Sequence, residues 1–147
     1  MLPSAGGVLG GHGFRSEPRA LDQVDAILGA QAIRLELVDP RFYHLDTCLC
    51  PLGEEAALWY PPAFSAGSQD ALRRSFPRLI AVPEAEALRF ACNALPVDDA
   101  LVLNTGCPET VAAAGTLGYR CVETPTSEFI KAGGSVKCLV LTLDSFS

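Results

Sequence analysis

Apolar and polar residues alternate along the chain with two different periods. From Pro18 to Leu28 the apolar residues recur at the spacing of one helix face, and Gly29 follows in the position that favours a left-handed C-cap. Ile33, Leu35 and Leu37 instead alternate with charged residues, which is the period-2 pattern of a half-buried strand. The pattern therefore predicts a helix followed by a strand.

The same helix-to-strand order recurs through the rest of the sequence. Further helices are predicted over 68–76 and 108–118, and a turn or short helix over 127–131. Further strands are predicted over 43–52, 56–60, 79–82, 90–95, 100–104, 119–123 and 138–143. In the last strand Val140, Leu141 and Leu143 are expected in the core, and the stretch from Gly6 to Gly13 is expected to pack closely against a neighbour. The fold class predicted is α/β, with a faint repeat of about 40 to 50 residues. Because no linker interrupts the pattern, residues 1–147 are expected to form a single domain.

Composition narrows the classes of function. The 147 residues include 11 basic and 17 acidic side chains, a formal charge of −6. They contain no basic cluster of the kind that neutralises phosphates, so we expect no nucleic-acid partner, whereas a cationic small molecule suits the acidic balance. No apolar run approaches the roughly 18 residues of a spanning helix, and the start lacks a secretory pattern. We therefore expect no membrane partner, a cytoplasmic location and six reduced cysteines.

The first candidate constellation lies between Phe42 and Leu52. If this segment is extended, His44 and Asp46 point to the same face, because strand side chains alternate with period two. An imidazole and a carboxylate would then share one pocket wall. The alternative, which spacing alone favours, is a structural histidine followed by a turn-forming aspartate.

The second candidate constellation ends at Cys138. This cysteine follows the pair Gly133-Gly134 and adjoins Lys137, so nearby positive charge and partial exposure could favour its thiolate. The alternative, which composition alone favours, is a small buried cysteine. Lys131 and Lys137 are interpreted as solvated surface charges. Buried packing roles are expected for Cys92, Cys107 and Cys121.

Two other kinds of site lack their motifs. Six cysteines and two histidines could supply zinc ligands, but the chain has no Cys-x-x-Cys pair, only Cys48-Leu49-Cys50, so no metal site is expected. The Gly-rich stretch near the start has neither a Gly-Lys-Ser/Thr ending nor a dinucleotide-binding pattern. No cofactor is expected.

Several segments, taken together and in order, resemble the amidinotransferase superfamily of guanidine-modifying enzymes, and most closely its dimethylarginine dimethylaminohydrolase branch. They are His44 to Cys48, Asn104 to Cys107, Ser127 to Phe129 and Gly133 to Cys138. The resemblance runs from about Gly11 to the C-terminus. It implies a pentein-like β/α propeller, built from ββαβ pseudo-repeats around a substrate tunnel, of which this chain would be roughly the C-terminal half.

The resemblance also implies a chemistry and a substrate. Cys138 would attack the central carbon of a guanidinium, and His44 would protonate the departing amine and then activate water, through a Cys-thiouronium intermediate. Asp46 would accept N–H groups of the guanidinium. Arg15, which follows the Gly-rich strand, would grip a substrate carboxylate or else pair with a nearby acidic side chain. Arginine or a methylated arginine is the implied substrate.

Members of this superfamily usually are nearly twice as long, and an acidic Glu-Gly-x-Gly-Asp segment normally precedes the Gly-rich strand. That segment is absent here, so we expect an incomplete active site: a fragment, an inactive truncated product, or a half-enzyme completed by a partner. Half a propeller leaves unpaired strand edges, which favours a homo-oligomer or a partner that supplies the missing half. The main alternative function is a non-catalytic binding module derived from this fold.

Overall fold

The computed structural model describes residues 1–4 and 7–141, which form three successive units with the same order of strand, strand, helix and strand. In unit 1, β1 (Leu2–Ser4) is antiparallel to β2 (Gly7–His12), α1 (Pro18–Leu28) follows, and β3 (Ile33–Glu36) lies parallel to β2. The predicted helix and strand are confirmed here. Gly29 caps α1 in the left-handed conformation, at φ 64°.

Unit 2 repeats this arrangement. β4 (Leu49–Pro51) is antiparallel to β5 (Ala56–Trp59), α2 (Ala66–Ser75) follows, and β6 (Arg78–Ala81) lies parallel to β5. All four side chains of β5 are buried, so this central strand is covered on both faces. A short helix, α3 (Glu84–Ala87), leads out of this unit.

Unit 3 completes the described fold. β7 (Leu95–Val97) is antiparallel to β8 (Ala100–Asn104), α4 (Pro108–Gly115) follows, and β9 (Arg120–Thr124) lies parallel to β8. A single-turn helix, α5 (Ser127–Ile130), leads into the final described segment.

The three units are related by an internal repeat, as the recurring helix-to-strand order predicts. Their central strands begin at Gly7, Ala56 and Ala100, and each pairs with its neighbours in the same antiparallel and parallel order. One core, from Leu2 to Ala114, contains buried side chains of all three units. The described chain is thus a partial β/α propeller built from ββαβ units, and this predicted fold class is confirmed.

The glycines of β2 allow the first unit to pack closely on both faces. A Cβ atom on Gly10 would lie 2.5 Å from a methyl carbon of Leu21 in α1, and one on Gly11 would lie 2.9 Å from the Cβ of Leu45. The close packing expected of this stretch is therefore observed. Because Leu45 separates His44 from Asp46, the second contact also fixes the segment that carries the first candidate constellation.

Three predicted strands are wrong over part or all of their length. Residues 43–52 form a strand only at Leu49–Pro51, preceded by a 3-10 turn at Leu45–Thr47, and residues 90–95 are a turn up to the start of β7. Residues 137–139 form another 3-10 turn, not the start of a strand. Val140 and Leu141 are exposed, 41% and 83% respectively, so their predicted core positions are also wrong; Leu143 lies outside the described residues.

Candidate active site

The first candidate constellation is a 3-10 turn, not a strand. The extended backbone of His44 leads into the turn, and the His44 carbonyl accepts hydrogen bonds from the Thr47 amide (3.1 Å) and hydroxyl (2.6 Å). Thr47 is buried, so the turn is anchored in the interior of the protein. The His44 side chain is exposed, and Asp46 is half-buried. His44 and Asp46 nevertheless line one cavity, as the period-2 argument requires, although the turn and not a pleat brings them there.

The segment with Cys138 is held by a chain of buried polar groups that starts at the end of β8. The Asn104 side-chain oxygen accepts hydrogen bonds from the Thr126 amide (3.1 Å) and hydroxyl (2.9 Å). The Thr126 hydroxyl lies 2.7 Å from that of Ser135, and all three residues are buried. Thr126 therefore links Asn104 to Ser135, which belong to two of the segments that carry the resemblance, and the loop before Cys138 has a fixed anchor.

Cys138 lies beside Asp46 and is the exposed cysteine of the chain. Its Sγ is 3.3 Å from Asp46 Oδ2 and 3.2 Å from the side-chain nitrogen of Asn93. The other five cysteines are buried or half-buried. A sulfur that is accessible and lies between two hydrogen-bonding side chains can be reached by a reactant, whereas buried thiols are inert packing residues.

The electrostatic surroundings of Cys138 favour the thiol form of the free protein. Partial burial and the Asp46 carboxylate raise the pKa of Cys138 above its ordinary value, and the hydrogen bond from Asn93 lowers it by less than this. The expectation that Lys137 would favour the thiolate is not met: the charge that acts on Cys138 is the negative charge of Asp46.

Two adjoining cavities open at this site. A polar cavity of about 290 Å³ is lined by His44, Asp46, Ser16 and Lys137. An apolar cavity of about 310 Å³ shares Asp46 and Lys137 with it and continues past the first strands of all three units, at Leu2, Leu49 and Leu95. Lys137 is thus half-buried between the cavities, which corrects its interpretation as a solvated charge, whereas Lys131 is 70% exposed beside Glu128.

Arg15 lies next to this site but not in its lining. Its guanidinium carbon is 5.4 Å from the centre of the Tyr43 ring, and that ring meets the His44 imidazole edge to face at 5.0 Å. The Tyr43 hydroxyl donates a hydrogen bond of 2.5 Å to the Gly133 carbonyl. Tyr43 therefore connects Arg15, His44 and the Gly-Gly loop, and sequence reasoning did not single it out.

Asn93 is the other residue that sequence reasoning missed. It is fully buried, and it contacts both Asp46 and Cys138. Its position in the sequence carried a signal, because it is a single amide within the apolar run from Phe90 to Leu95, and buried amides are normally hydrogen-bonded.

Among the described residues, no group of three or more His, Cys, Asp and Glu side chains is close enough to hold a metal ion. No helix in the part of the chain that the structure describes is long and apolar enough to cross a membrane.

The repeated ββαβ units have the fold of the pentein-type propellers found in guanidine-modifying enzymes. No family model matches the sequence. The dimethylarginine dimethylaminohydrolase of Mycobacterium tuberculosis is 43% identical over 136 residues, which are 92% of this chain and 45% of that protein.

Two crystal structures of the N-terminal domain of ArgZ, a cyanobacterial arginine dihydrolase, have the same fold. One, bound to product, has a TM-score of 0.86 and 42% identity, covering 89% of this chain and 49% of that one. The other, covalently bound to a reaction intermediate, has a TM-score of 0.84 and 42% identity, covering 88% and 48%. The chain thus spans about half the length of these relatives. It is a homologue of the arginine dihydrolases and dimethylarginine dimethylaminohydrolases of the pentein superfamily, and the predicted resemblance is confirmed.

Proposed function

We propose that this chain carries the nucleophile and the acid/base group for hydrolytic attack on the guanidinium of arginine or a methylated arginine. The observation that carries the proposal is the exposed Cys138 Sγ at 3.3 Å from the carboxylate of Asp46, which lines one cavity with His44. A nucleophile beside a carboxylate that shares a cavity with an imidazole provides the groups that this chemistry requires.

The proposed reaction divides one displacement into two steps. The Cys138 thiolate forms a bond to the guanidinium carbon, and one C–N bond breaks as His44 gives a proton to the departing amine or ammonia. A thiouronium adduct remains on the sulfur. Water then loses a proton to His44 and bonds to the same carbon, and the C–S bond breaks to release a ureido product and the thiolate.

Asp46 has two functions in this proposal. Its carboxylate accepts N–H groups of the planar guanidinium, and in the free protein partial burial and then its charge keep the pKa of Cys138 raised. A bound cation neutralises that charge, so the sulfur ionises when substrate is present. Arg15, linked to the site through the Tyr43 ring, would reach a substrate carboxylate.

The two cavities are open spaces beside strands of all three units, which supports a further part of the proposal. In this part of the proposal, the chain corresponds to the C-terminal half of the relatives' enzyme domain. Groups outside residues 1–147, on a second copy of the chain or on a partner, would complete the pocket. A monodisperse monomer that turns over substrate by itself would contradict this part.

A pair of labelling reagents tests the recognition step. The cationic 2-chloroacetamidine and the neutral 2-chloroacetamide carry the same leaving group, and peptide mass spectrometry assigns the label. Relative to urea-unfolded protein, we expect Cys138 in the folded protein to prefer the cation by about tenfold, because attraction to one carboxylate near a protein surface is on the order of 1–2 kcal/mol. Asp46→Asn should remove the preference.

Asp70→Asn is the matched control, since it removes an exposed carboxylate paired with Arg73 in α2, away from the site. An equal preference in the Asp46 variant would contradict the proposal. Intact-mass measurements after incubation with arginine, methylarginines or agmatine then test the covalent step, with Cys138→Ser as control. Cation-selective labelling without any adduct or turnover would favour a binding module derived from this fold.

A further inference from the structure

The buried side chain of Asn93 joins the two groups that the proposed reaction uses. Its nitrogen lies 2.9 Å from the Asp46 carbonyl oxygen, 3.2 Å from Asp46 Oδ2 and 3.2 Å from Cys138 Sγ. Its oxygen accepts hydrogen bonds from the Ser135 amide (3.0 Å) and the Cys138 amide (3.3 Å). One amide therefore holds both the backbone around the sulfur and the carboxylate beside it.

The Asn93 nitrogen has one acceptor more than it has hydrogens. An amide nitrogen carries two N–H groups, and the Asp46 carbonyl at 2.9 Å is the closest of its three acceptors. The second N–H is left between Asp46 Oδ2 and Cys138 Sγ, at equal distances of 3.2 Å. While the sulfur is a thiol, its own S–H donates a hydrogen bond to Asp46 Oδ2 at 3.3 Å.

Loss of the thiol proton changes this balance. The thiolate and the Asp46 carboxylate would then be two anions 3.3 Å apart, and like charges at that separation repel strongly. The shared N–H of Asn93 is the donor that faces both of them. A hydrogen bond to an ionised acceptor is about twice as strong as one between neutral groups, so the N–H gains most by turning to the new charge.

We propose that Asn93 is a positioning residue for the nucleophile: it fixes Cys138 Sγ against the Asp46 carboxylate and donates its shared N–H to the sulfur when the thiol ionises. The released proton goes to water or to His44. This inference rests on the proposed function for its purpose, because a thiolate is needed only if Cys138 attacks a substrate.

A purely structural role for Asn93 makes a different prediction. Removal of a buried amide with five hydrogen-bond contacts would lower the stability of the fold. It would not, however, change the pH at which a correctly placed sulfur ionises. The pH dependence of the sulfur's reactivity therefore separates the two roles.

The test measures alkylation of Cys138 by iodoacetamide, a small neutral reagent that needs no guanidinium pocket, across the pH range of thiol ionisation. Asn93→Asp keeps an oxygen for the Ser135 and Cys138 amides but replaces the shared donor with an acceptor. We expect the alkylation rate at pH 8 to fall by about tenfold, which corresponds to a rise of one unit in the pKa of Cys138.

The matched control is the exchange variant Asp46→Asn/Asn93→Asp. It keeps the net charge and moves the amide to position 46, whose side chain lies 3.3 Å from the sulfur, against 3.2 Å for position 93. We expect the exchange to restore most of the lost rate. An unchanged pH profile in Asn93→Asp would overturn the proposal, and so would a loss that the exchange does not restore.

A second measurement uses the unaltered chain, in case the Asn93 variants fail to fold. The side-chain amide ¹⁵N and ¹H resonances of Asn93 should shift with pH at the midpoint that alkylation gives for Cys138, and Cys138→Ser should abolish the shift. Resonances that ignore the ionisation of Cys138 would overturn the proposal. Neither measurement needs substrate. If Cys138 showed no preference for the cationic reagent in the labelling experiment, the proposed function would be rejected, but the role of Asn93 in the ionisation of Cys138 would not.

Discussion

The hydrogen bond between Tyr43 and Gly133 ties the acid/base segment to the loop that ends in the nucleophile. The Tyr43 hydroxyl donates to the Gly133 carbonyl at 2.5 Å, across 90 residues of sequence. Gly133 has a φ of 87°, and a Cβ atom there would overlap the Tyr43 hydroxyl oxygen, so the loop approaches the ring as only a glycine permits. Tyr43→Phe removes the hydroxyl and leaves the ring in place.

The expected size of the effect follows from the surroundings. Tyr43 and Gly133 are half-buried, so water reaches the carbonyl when the hydroxyl is gone and no buried acceptor is orphaned. The loss is then that of one ordinary hydrogen bond, about 1 kcal/mol. This loss lowers the free energy of local opening of residues 133–138, and about 1 kcal/mol corresponds to about a fivefold rise in the population of the open state.

Hydrogen exchange measured residue by residue tests this number. The amides of Ser135 and Cys138 should exchange about fivefold faster in Tyr43→Phe, whereas amides of β5 should not change. Alkylation of Cys138 should change in the same variant without a shift of its pH midpoint, since the hydroxyl does not touch the sulfur. Equal exchange rates in the loop would refute the argument that this bond holds it, as would a uniform increase over the whole chain.

Two further predictions concern stability. The buried Glu86 carboxylate accepts hydrogen bonds from the amides of Glu109 and Thr110 at 2.8 Å and from the Thr110 hydroxyl at 2.6 Å, so it caps α4 in place of a local side chain. Glu86→Gln should lower the free energy of unfolding in urea by about 2 kcal/mol, whereas Glu109→Gln, at an exposed position, should hardly change it. Hydrogen bonds from Arg41 lower the pKa of Asp39, so this carboxylate stabilises the fold above its unfolded pKa near 4 and stops doing so as pH falls through its lower folded pKa. Asp39→Asn should therefore cost about 1 kcal/mol at pH 7 and progressively less as the pH falls below about 4, and a cost that does not change with pH would contradict the assignment.

The parts of the fold that periodicity predicts are those in which local sequence and packing agree. Helix α1 has proline at its start and glycine after its end, and its bounds are as predicted. The strands at 90–95 and 138–143 were predicted from apolar composition alone. Phe90 instead adopts a positive φ of 63° in a turn that presents Asn93 to the interior. A run of apolar residues indicates burial, but it does not indicate the backbone conformation in which the burial occurs.

The candidate site shows the same limit at the level of side chains. Cys138, His44 and Asp46 were singled out from motif and resemblance, and the structure places Cys138 and His44 around Asp46. Tyr43 and Asn93 were missed because their contacts join residues 90 and 45 positions apart. Only tertiary packing makes such contacts.

In the proposed function, the arrangement around Cys138 would link recognition of the guanidinium to ionisation of the sulfur through the charge of Asp46. Lys137 adjoins Cys138 in sequence, yet partial burial and then the carboxylate of Asp46 raise the pKa of Cys138. A site built to keep its thiolate ready would place a cation at that position. In the proposed function, a carboxylate there would make the thiolate costly until a cation occupies the cavity, and the same carboxylate would then bind that cation. The reactive form of the sulfur would thus be favoured when a guanidinium lies beside it, and oxidation and alkylation would be slower in the empty protein.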